Sequence, residues 1–473
     1  MGHCGEGLGF EYCKVLTPQK YTTSIRYLMI TTQLIQPHLD TGATPLVSGG
    51  PVSQAARLTA LDALRGFACL GILLMNIVMF GMHDAFYDNP SAVGTATGAN
   101  LWVWMVMHVF AEGKMRALFS LVFGASMVLL TSRMEGRADA ADIYYRRLLW
   151  LFAFGLVHGY LLWHGEILYP YAICGLFLYP FRKLPARKLI LIGMAFSIGN
   201  STCALVGSSI KENERAEAIA AIEKANAGTQ LSSEEKEAKE TWEEFLKERH
   251  PTPEDIQKNT EGWRGTPWSV IKTRGAFLYN YHSHPVYHYW NLDLWGMMFL
   301  GMGLFKLGVI SAELSVRAYG LMAAAGMLVG LVVNGYTGWQ TIQAMFDPVM
   351  QIRTFAVYDL GRFSTAMGWL GLIMILSKTS TFDFLTRRLA AVGQTALSCY
   401  IAQSVICTFL FTGYGFGLYG QLERYQLYYV VIGVWLFLLV ISPIWLRHFR
   451  FGPLEWCWRS LTYWKRQPFR RTS

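Results

Sequence analysis

The chain has 473 residues, of which 53% are hydrophobic, 14% aromatic and only 15% charged. Soluble domains average about 25% charged residues. That gap, with a mean hydropathy of +0.27, excludes an ordinary cytosolic enzyme and a disordered chain, and the absence of a glycine period or sustained heptads excludes fibrous classes.

The fold class that remains is all-α: a polytopic bundle of transmembrane helices in a lipid bilayer. The net charge of +9 is divided unevenly. Lys211 to Arg264 holds 14 acidic and 9 basic residues, a net −5, so the other 32 basic and 18 acidic residues carry +14. The positive charge sits in short loops between apolar runs, as in cytoplasmic membrane loops. No nucleic-acid recognition motif occurs, and no nucleic-acid partner is expected. The eight cysteines contain no CxxC pair, so neither a disulfide framework nor a zinc site is expected.

Residues 1–56 lack periodicity and predict a poorly ordered tail. Their one apolar stretch, Leu28–Ile35, is too short and broken for a signal peptide. A span needs about 20 apolar residues, fewer inside a bundle, and ten are predicted. The first is Leu61–Met82; the second, Lys114–Met134, follows a short aromatic helix, Leu101–Ala111. Leu148–Trp163 and Ile167–Phe181 form a tight hairpin at His164-Gly165, and Leu189–Val206 is the fifth. Then come Trp290–Ile310, Ala318–Tyr336, Val357–Ser377, Leu389–Thr412 and Leu427–Leu446. An N-terminus and a C-terminus in the cytoplasm keep the clusters around Arg65, Arg146-Arg147, Arg182, Arg317 and Arg387, and the tail, on the inner side. The predicted organisation is therefore a transmembrane half over 57–207, an extracytoplasmic polar loop over 208–285, a second half over 286–462 and a basic tail over 463–473. The loop carries a Glu/Lys-rich helical core, Lys211–Arg249, which reads as a solvated helix or hairpin.

An ionisable side chain in a bilayer core costs at least about 2.5–3.5 kcal/mol, so it persists where it is paired or faces a wet cavity. Asp62 and Arg65 lie three apart on one helical face, with Asn76 further along the same span. Glu112, Lys114 and Arg116 sit where the chain re-enters the membrane: an acceptor-orienting cluster or an interfacial ion-pair patch. Asp359 and Arg362, again three apart, are expected to pair, and Asp293 stands near the outer end of the sixth span. The sharpest feature is the hairpin Gly155-Leu-Val-His158-Gly-Tyr-Leu-Leu-Trp-His164-Gly-Glu166. His158 lies about 9 Å below the turn at 1.5 Å per residue, and His164 and Glu166 cap it. An imidazole beside a carboxylate exchanges a proton near neutral pH; a helix-to-helix hydrogen bond is the plainer alternative. The run HSHPVYH (His282, His284, His288) has no carboxylate or cysteine at ligand spacing. Its neighbours read as an interfacial aromatic belt, so no metal is expected. Walker A, GxSxG, HExxH and Rossmann motifs are absent.

Several blocks in order resemble the bacterial YeiB-like family: RLTALDALRGFACLGILLMNI (57–77), FAEGKMRALFSLVFGAS (110–126), RRLLWLFAFGLVHGYLLWHGEILYPYAICGL (146–176), RRLAAVGQTALSCYIAQS (387–404) and GPLEWCWRSLT (452–462). The resemblance implies a multi-pass protein of the bacterial inner membrane with a C-terminal domain of unknown function. The opening Asp62-x-x-Arg65-Gly66 is similar to that of the transmembrane acyltransferase superfamily, whose heparan-type N-acetyltransferases carry Asn where Asn76 stands. That similarity implies transfer of an acyl group from cytoplasmic acyl-CoA, as co-substrate, to a small-molecule hydroxyl or amine acceptor. On this reading Arg65, Arg146 and Arg147 hold phosphates. His158 with Glu166 and His164 handles the proton, and Asp62, Asn76, Glu112, Lys114, Asp359 and Arg362 line the substrate path. Two departures stand out: Gly165-Glu166 where the family has Gly-Asp, and Gly393-Gln394 where it has Gly-Arg. His108 is nearest in position to the heparan-type histidine, but no motif carries catalysis onto it. The rival reading is a transporter or permease whose intramembrane groups relay protons; no internal repeat supports it.

Overall fold

A computed structural model describes residues 54–92, 97–283 and 285–471. The tail expected over 1–56 lies almost wholly outside them, as do His284 and the side chain of His288. Among the described residues the regular structure is helical: α1 (Gln54–Gly81), α2 (Gly98–Phe110), α3 (Lys114–Arg133), α4 (Ala140–Leu161), α5 (Leu168–Leu178), α6 (Ala186–Asn226), α7 (Ser233–Arg249), α8 (Pro253–Arg264), α9 (Pro267–Ser283), α10 (Pro285–Lys306), α11 (Val316–Gln343), α12 (Pro348–Thr354), α13 (Tyr358–Lys378), α14 (Asp383–Gln394), α15 (Ala396–Phe411), α16 (Arg424–His448) and α17 (Pro453–Tyr463).

Six helical stretches are long and apolar enough to cross a bilayer: Thr59–Gly81, Gly98–Arg133, and the helices α6, α11, α13 and α16. A seventh arises if the bent pair α14–α15 is one span. The protein is therefore an integral membrane protein. The other predicted spans do not meet that measure by themselves. At 1.5 Å per residue α5 is only about 17 Å long, α4 opens on Asp142, Arg146 and Arg147, and α10 buries Asp293.

α1 is the axis of the bundle. Of its apolar window 72% is buried inside the protein, against 11% for α6, which turns most of its surface outward. α1 packs on α3, α13, α14, α15 and α16. Its crossing with α14 is set by two glycines: a β-carbon on Gly66 or Gly393 would overlap the other helix's backbone carbonyl. The α2–α3 junction turns on Gly113, at φ +68° in the left-handed region. This places Glu112 and Lys114 on the inner side of the turn, beside Tyr358 and the carbonyl of His108.

Two departures from the predicted elements matter. The fifth span does not stop at Val206: α6 continues unbroken to Asn226, because the Ala/Glu/Lys-rich sequence that follows is itself a strong helix former. The ninth span is broken, α14 and α15 meeting at 84° across Thr395, whose hydroxyl bonds back to the carbonyl of Ala391 at 2.9 Å.

The polar segment folds as a hairpin of α6 and α7, then α8 and α9. Capping boxes at Ser232/Glu235 and Thr252/Asp255 start α7 and α8. α7 ends at Arg249, beside His250-Pro251 as expected. This segment is more than a solvated cap. α8 is clamped to the α15–α16 loop by Arg264 Nε donating to the carbonyl of Tyr419 at 2.6 Å and by the Tyr419 hydroxyl donating to Asn259 at 2.8 Å. Arg274 of α9 buries its guanidinium on the carbonyl of Leu161 at 2.7 Å, at the tip of the α4–α5 hairpin.

Candidate functional site

The α4–α5 hairpin brings His158 and Glu166 together, as their spacing suggested. Glu166 Oε2 meets His158 Nδ1 directly, and its Oε1 accepts the backbone N–H groups of Leu168 and, at 3.1 Å, Tyr169. The carboxylate thus caps α5 and orients the imidazole in one step. The other ring nitrogen, Nε2, lies 2.8 Å from the Ser404 hydroxyl of α15. His158 and Ser404 are each only 1% exposed.

Glu166 also lines a cavity of about 270 Å³ on the cap side of the bundle. Asn76, Asp84, Asp88, Trp163, His164 and Phe277 are among its walls. His164 is oriented by Asp84, Nε2 to Oδ1 at 3.3 Å, while its Nδ1 is buried without a hydrogen-bond partner. The indole N–H of Trp163 is likewise buried and unpaired, with the ring stacked on Phe80. Phe277 of α9 rests edge-on against His164 at 4.4 Å between ring centres. Apolar walls with a few polar groups unsatisfied by the protein are the ordinary make-up of a small-molecule pocket.

Beside this cavity runs a buried chain of charge. Arg116, which borders the cavity, pairs with Asp293 at 2.8 Å; Asp293 also meets Arg362; and Arg362 pairs with Asp359 at 2.5 Å. Two guanidinium groups and two carboxylates from α3, α10 and α13 compensate one another, the condition under which buried ions are tolerated. Lys114, fully buried, donates to the His108 carbonyl at 2.5 Å and stands 3.8 Å from Glu112. Glu112 accepts from the Tyr358 hydroxyl at 2.8 Å and lines a smaller adjoining pocket with Asn334, Thr337 and His108. His108 is held there by Thr337 at 3.2 Å, away from the hairpin.

At the opposite end of α1, Arg65 pairs with Asp62 at 2.7 Å and donates to Ser126 at 3.0 Å and to the Gly393 carbonyl at 3.3 Å. Arg147 lies flat on Trp458 of α17, 3.6 Å from the ring centre, and within electrostatic reach of Arg65 and Arg459. Arg146 is turned back onto the Asp142 carbonyl at 3.3 Å. Glu455 is buried and caps α15: it accepts the N–H groups of Leu397 at 2.7 Å and Ser398 at 3.1 Å, and the Ser398 hydroxyl at 2.6 Å. Burial raises its carboxyl above the usual carboxylate range. Among the described residues no cluster of three or more His, Cys, Asp or Glu side chains is placed to hold a metal ion.

Sequence reasoning missed Ser404, Asp84, Trp163 and Arg459. Ser404 and Asp84 reach His158 and His164, and Trp163 reaches Phe80, across long stretches of chain beyond any helical spacing, and only the folded bundle brings Arg459 near Arg65 and Arg147.

Comparison with known proteins fixes the family. The profile of DUF418, a protein family of unknown function, matches residues 304–465. Over 413 residues the chain is 31% identical to the uncharacterised protein YeiB of Escherichia coli K12, covering 86% of this chain and 96% of that protein. The chain belongs to the YeiB family. It is also 27% identical over 431 residues to the uncharacterised protein YxaH of Bacillus subtilis 168, covering 88% and 97%. The uncharacterised 39.9 kDa protein in the amylase 3' region of Bacillus acidopullulyticus is 24% identical over 427 residues, covering 88% and 97%. No solved structure matches. A match over 86% of the chain necessarily takes in the hairpin.

Proposed function

We propose that this YeiB-family member is a membrane-embedded acyltransferase of the bacterial inner membrane. It moves an acyl group from cytoplasmic acyl-CoA to a hydroxyl or amine of a small molecule held in the cap-side cavity. The observation that carries this reading is the buried imidazole of His158, fixed from behind the cavity wall by Glu166, which lines the cavity, and aimed at the Ser404 hydroxyl. Supporting it is the separation of two chemistries along α1: guanidinium groups suited to phosphate at one end, a mostly apolar cavity with a few polar groups at the other.

In this topology both termini are cytoplasmic and ten segments cross the membrane: α1, α2–α3, α4, α5, α6, α10, α11, α13, α14–α15 and α16. The halves over 57–207 and 286–462 are separated by the extracytoplasmic loop over 208–285, and the basic tail over 463–473 stays inside. Arg65 and Arg147 hold the phosphates, with Arg146 at the rim. The acceptor sits against Asn76 and His164, with Glu112 and Lys114 fixing its orientation from the adjoining pocket. His158 takes the proton as the acceptor attacks the thioester carbonyl and returns it to the departing thiolate. Asp62 steadies Arg65, and Asp359 with Arg362 steadies Arg116 through Asp293. The dry surroundings of the imidazole limit hydrolysis of the thioester.

The test is incubation of membranes with radiolabelled acyl-CoA. An acylated small product is expected from the wild type and none from His158→Ala at equal protein abundance. A fully active His158→Ala removes the catalytic assignment. The second reading, a permease, draws on the 84° break between α14 and α15, since transporters bind solutes at broken helices. Flux of an unmodified solute into proteoliposomes, without CoA release, would establish it instead.

A further inference from the structure

Ser404 has no part in the chemistry described above, yet it completes a triad. Glu166 is a carboxylate and only accepts, so the hydrogen it receives at His158 is that of Nδ1–H. Nε2 is then the bare nitrogen, and the Ser404 hydroxyl, 2.8 Å away, donates its proton to it. A weaker alternative acceptor for that hydroxyl, the Tyr400 carbonyl, is at 3.4 Å. Nucleophile, base and orienting carboxylate stand in the relation that activates a serine.

The position along the bundle gives the arrangement a purpose. Ser404 lies nine residues past the break at Thr395, about 13 Å along α15 at 1.5 Å per residue, which sets it between the Arg65–Gly393 crossing and the hairpin that walls the cavity. The unpaired indole N–H of Trp163 belongs to a ring 6.3 Å from the imidazole, centre to centre. A plain interhelical hydrogen bond would need only the serine and the histidine. It would not need a carboxylate anchored through one oxygen by two backbone amides so that the other is held against the ring.

We propose that Ser404 is the catalytic nucleophile and carries the acyl group as an ester between the two halves of the reaction. The inference rests on the acyltransferase reading and replaces its single displacement by two. In the first, Ser404 Oγ attacks the thioester carbonyl while its proton passes to His158 Nε2; the carbon–sulfur bond breaks and the thiolate takes that proton, leaving as free CoA. In the second, the acceptor's oxygen or nitrogen attacks the ester carbonyl and gives its proton to Nε2. The bond to Oγ breaks, and the proton returns to the serine.

The experiment uses the full chain in nanodiscs with radiolabelled acetyl-, butyryl- and palmitoyl-CoA and no acceptor. Wild type is expected to take up label on the protein, resistant to neutral hydroxylamine and released by alkaline hydroxylamine, as an oxygen ester is. Ser404→Ala is expected to lose the label and at least about 10³-fold in transfer rate. Ser404→Cys is expected to retain label that neutral hydroxylamine now releases, a signature no structural role produces. Label persisting on Ser404→Ala overturns the proposal. So does acceptor-dependent product formation with no protein-bound label and a Ser404→Ala rate within about threefold of wild type; either result leaves the transferase standing. If no CoA is released from the wild type with any thioester, even when membrane extract supplies acceptors, the transferase reading and this inference fall together.

Discussion

Replacing Arg362 by methionine tests whether the buried chain of charge acts as one neutral unit. Arg362 touches both Asp293 and Asp359, and the four groups Arg116, Asp293, Arg362 and Asp359 sum to zero. Arg362→Met leaves a net −1 where Arg362 is fully buried and its two partners nearly so. Asp293 retains Arg116, but Asp359 is left, among the described residues, with the Asn200 amide at 3.3 Å. Breaking a buried pair by removing one partner costs about 3–5 kcal/mol, and that is the expected loss. Adding Asp359→Asn restores neutrality, so the double variant should regain about 1–3 kcal/mol over the sum of the single losses. The assay is unfolding in a graded detergent–denaturant mixture followed by tryptophan fluorescence. An Arg362→Met protein within about 1 kcal/mol of wild type, or losses that simply add in the double variant, would refute the reasoning, because independent groups add.

Further outcomes are expected at Glu455, at Arg146 and Arg147, and at Glu166. The Glu455 carboxyl is raised in the folded protein by burial, so folding binds its proton more tightly. Its contribution to stability is greatest at acid pH and declines as pH rises from the unfolded carboxylate range through the raised value. Glu455→Gln should flatten that decline in a melting-temperature series against pH. Arg147→Ala should raise KM for acyl-CoA by about tenfold or more, the worth of a charge-assisted hydrogen bond of about 1.5–3 kcal/mol. Arg146→Ala, whose guanidinium is turned onto its own helix, should change KM by less than about threefold in the same steady-state assay. Glu166→Gln keeps an acceptor for the Leu168 and Tyr169 amides but removes the negative charge on His158, so transfer should fall by about 10²-fold or more with little change in melting. Glu166→Ala should lose in addition about 1 kcal/mol of stability, the usual worth of a cap.

Much of this site follows helical arithmetic. Asp62 with Arg65 and Asp359 with Arg362 are three apart, and the structure pairs both. His158 and Glu166 flank a tight turn, so their meeting is local as well. The apolar runs marked the helices because lipid-facing and core-facing residues are both hydrophobic. That same uniformity hid the rest. The break before Ala396 has no proline, and hydropathy does not register a change of direction inside an apolar run. Nor did it give Arg116 a reason to choose Asp293, or His164 to choose Asp84, since these partners come from separate helices or loops. The continuation of α6 past residue 207 was obscured by the shift from apolar to charged composition, which changes the solvent and not the backbone.

α6 spans 41 residues without interruption, about 62 Å at 1.5 Å per residue, twice the roughly 30 Å of a hydrocarbon core. Its far portion is braced by Arg215–Asp347 at 3.0 Å and Arg353–Glu212 at 3.4 Å. A rod of that kind transmits torque. Anything that grips the polar end, an antibody fragment included, will twist or tilt the part that faces the lipid, and two fluorophores fixed along it would report the angle.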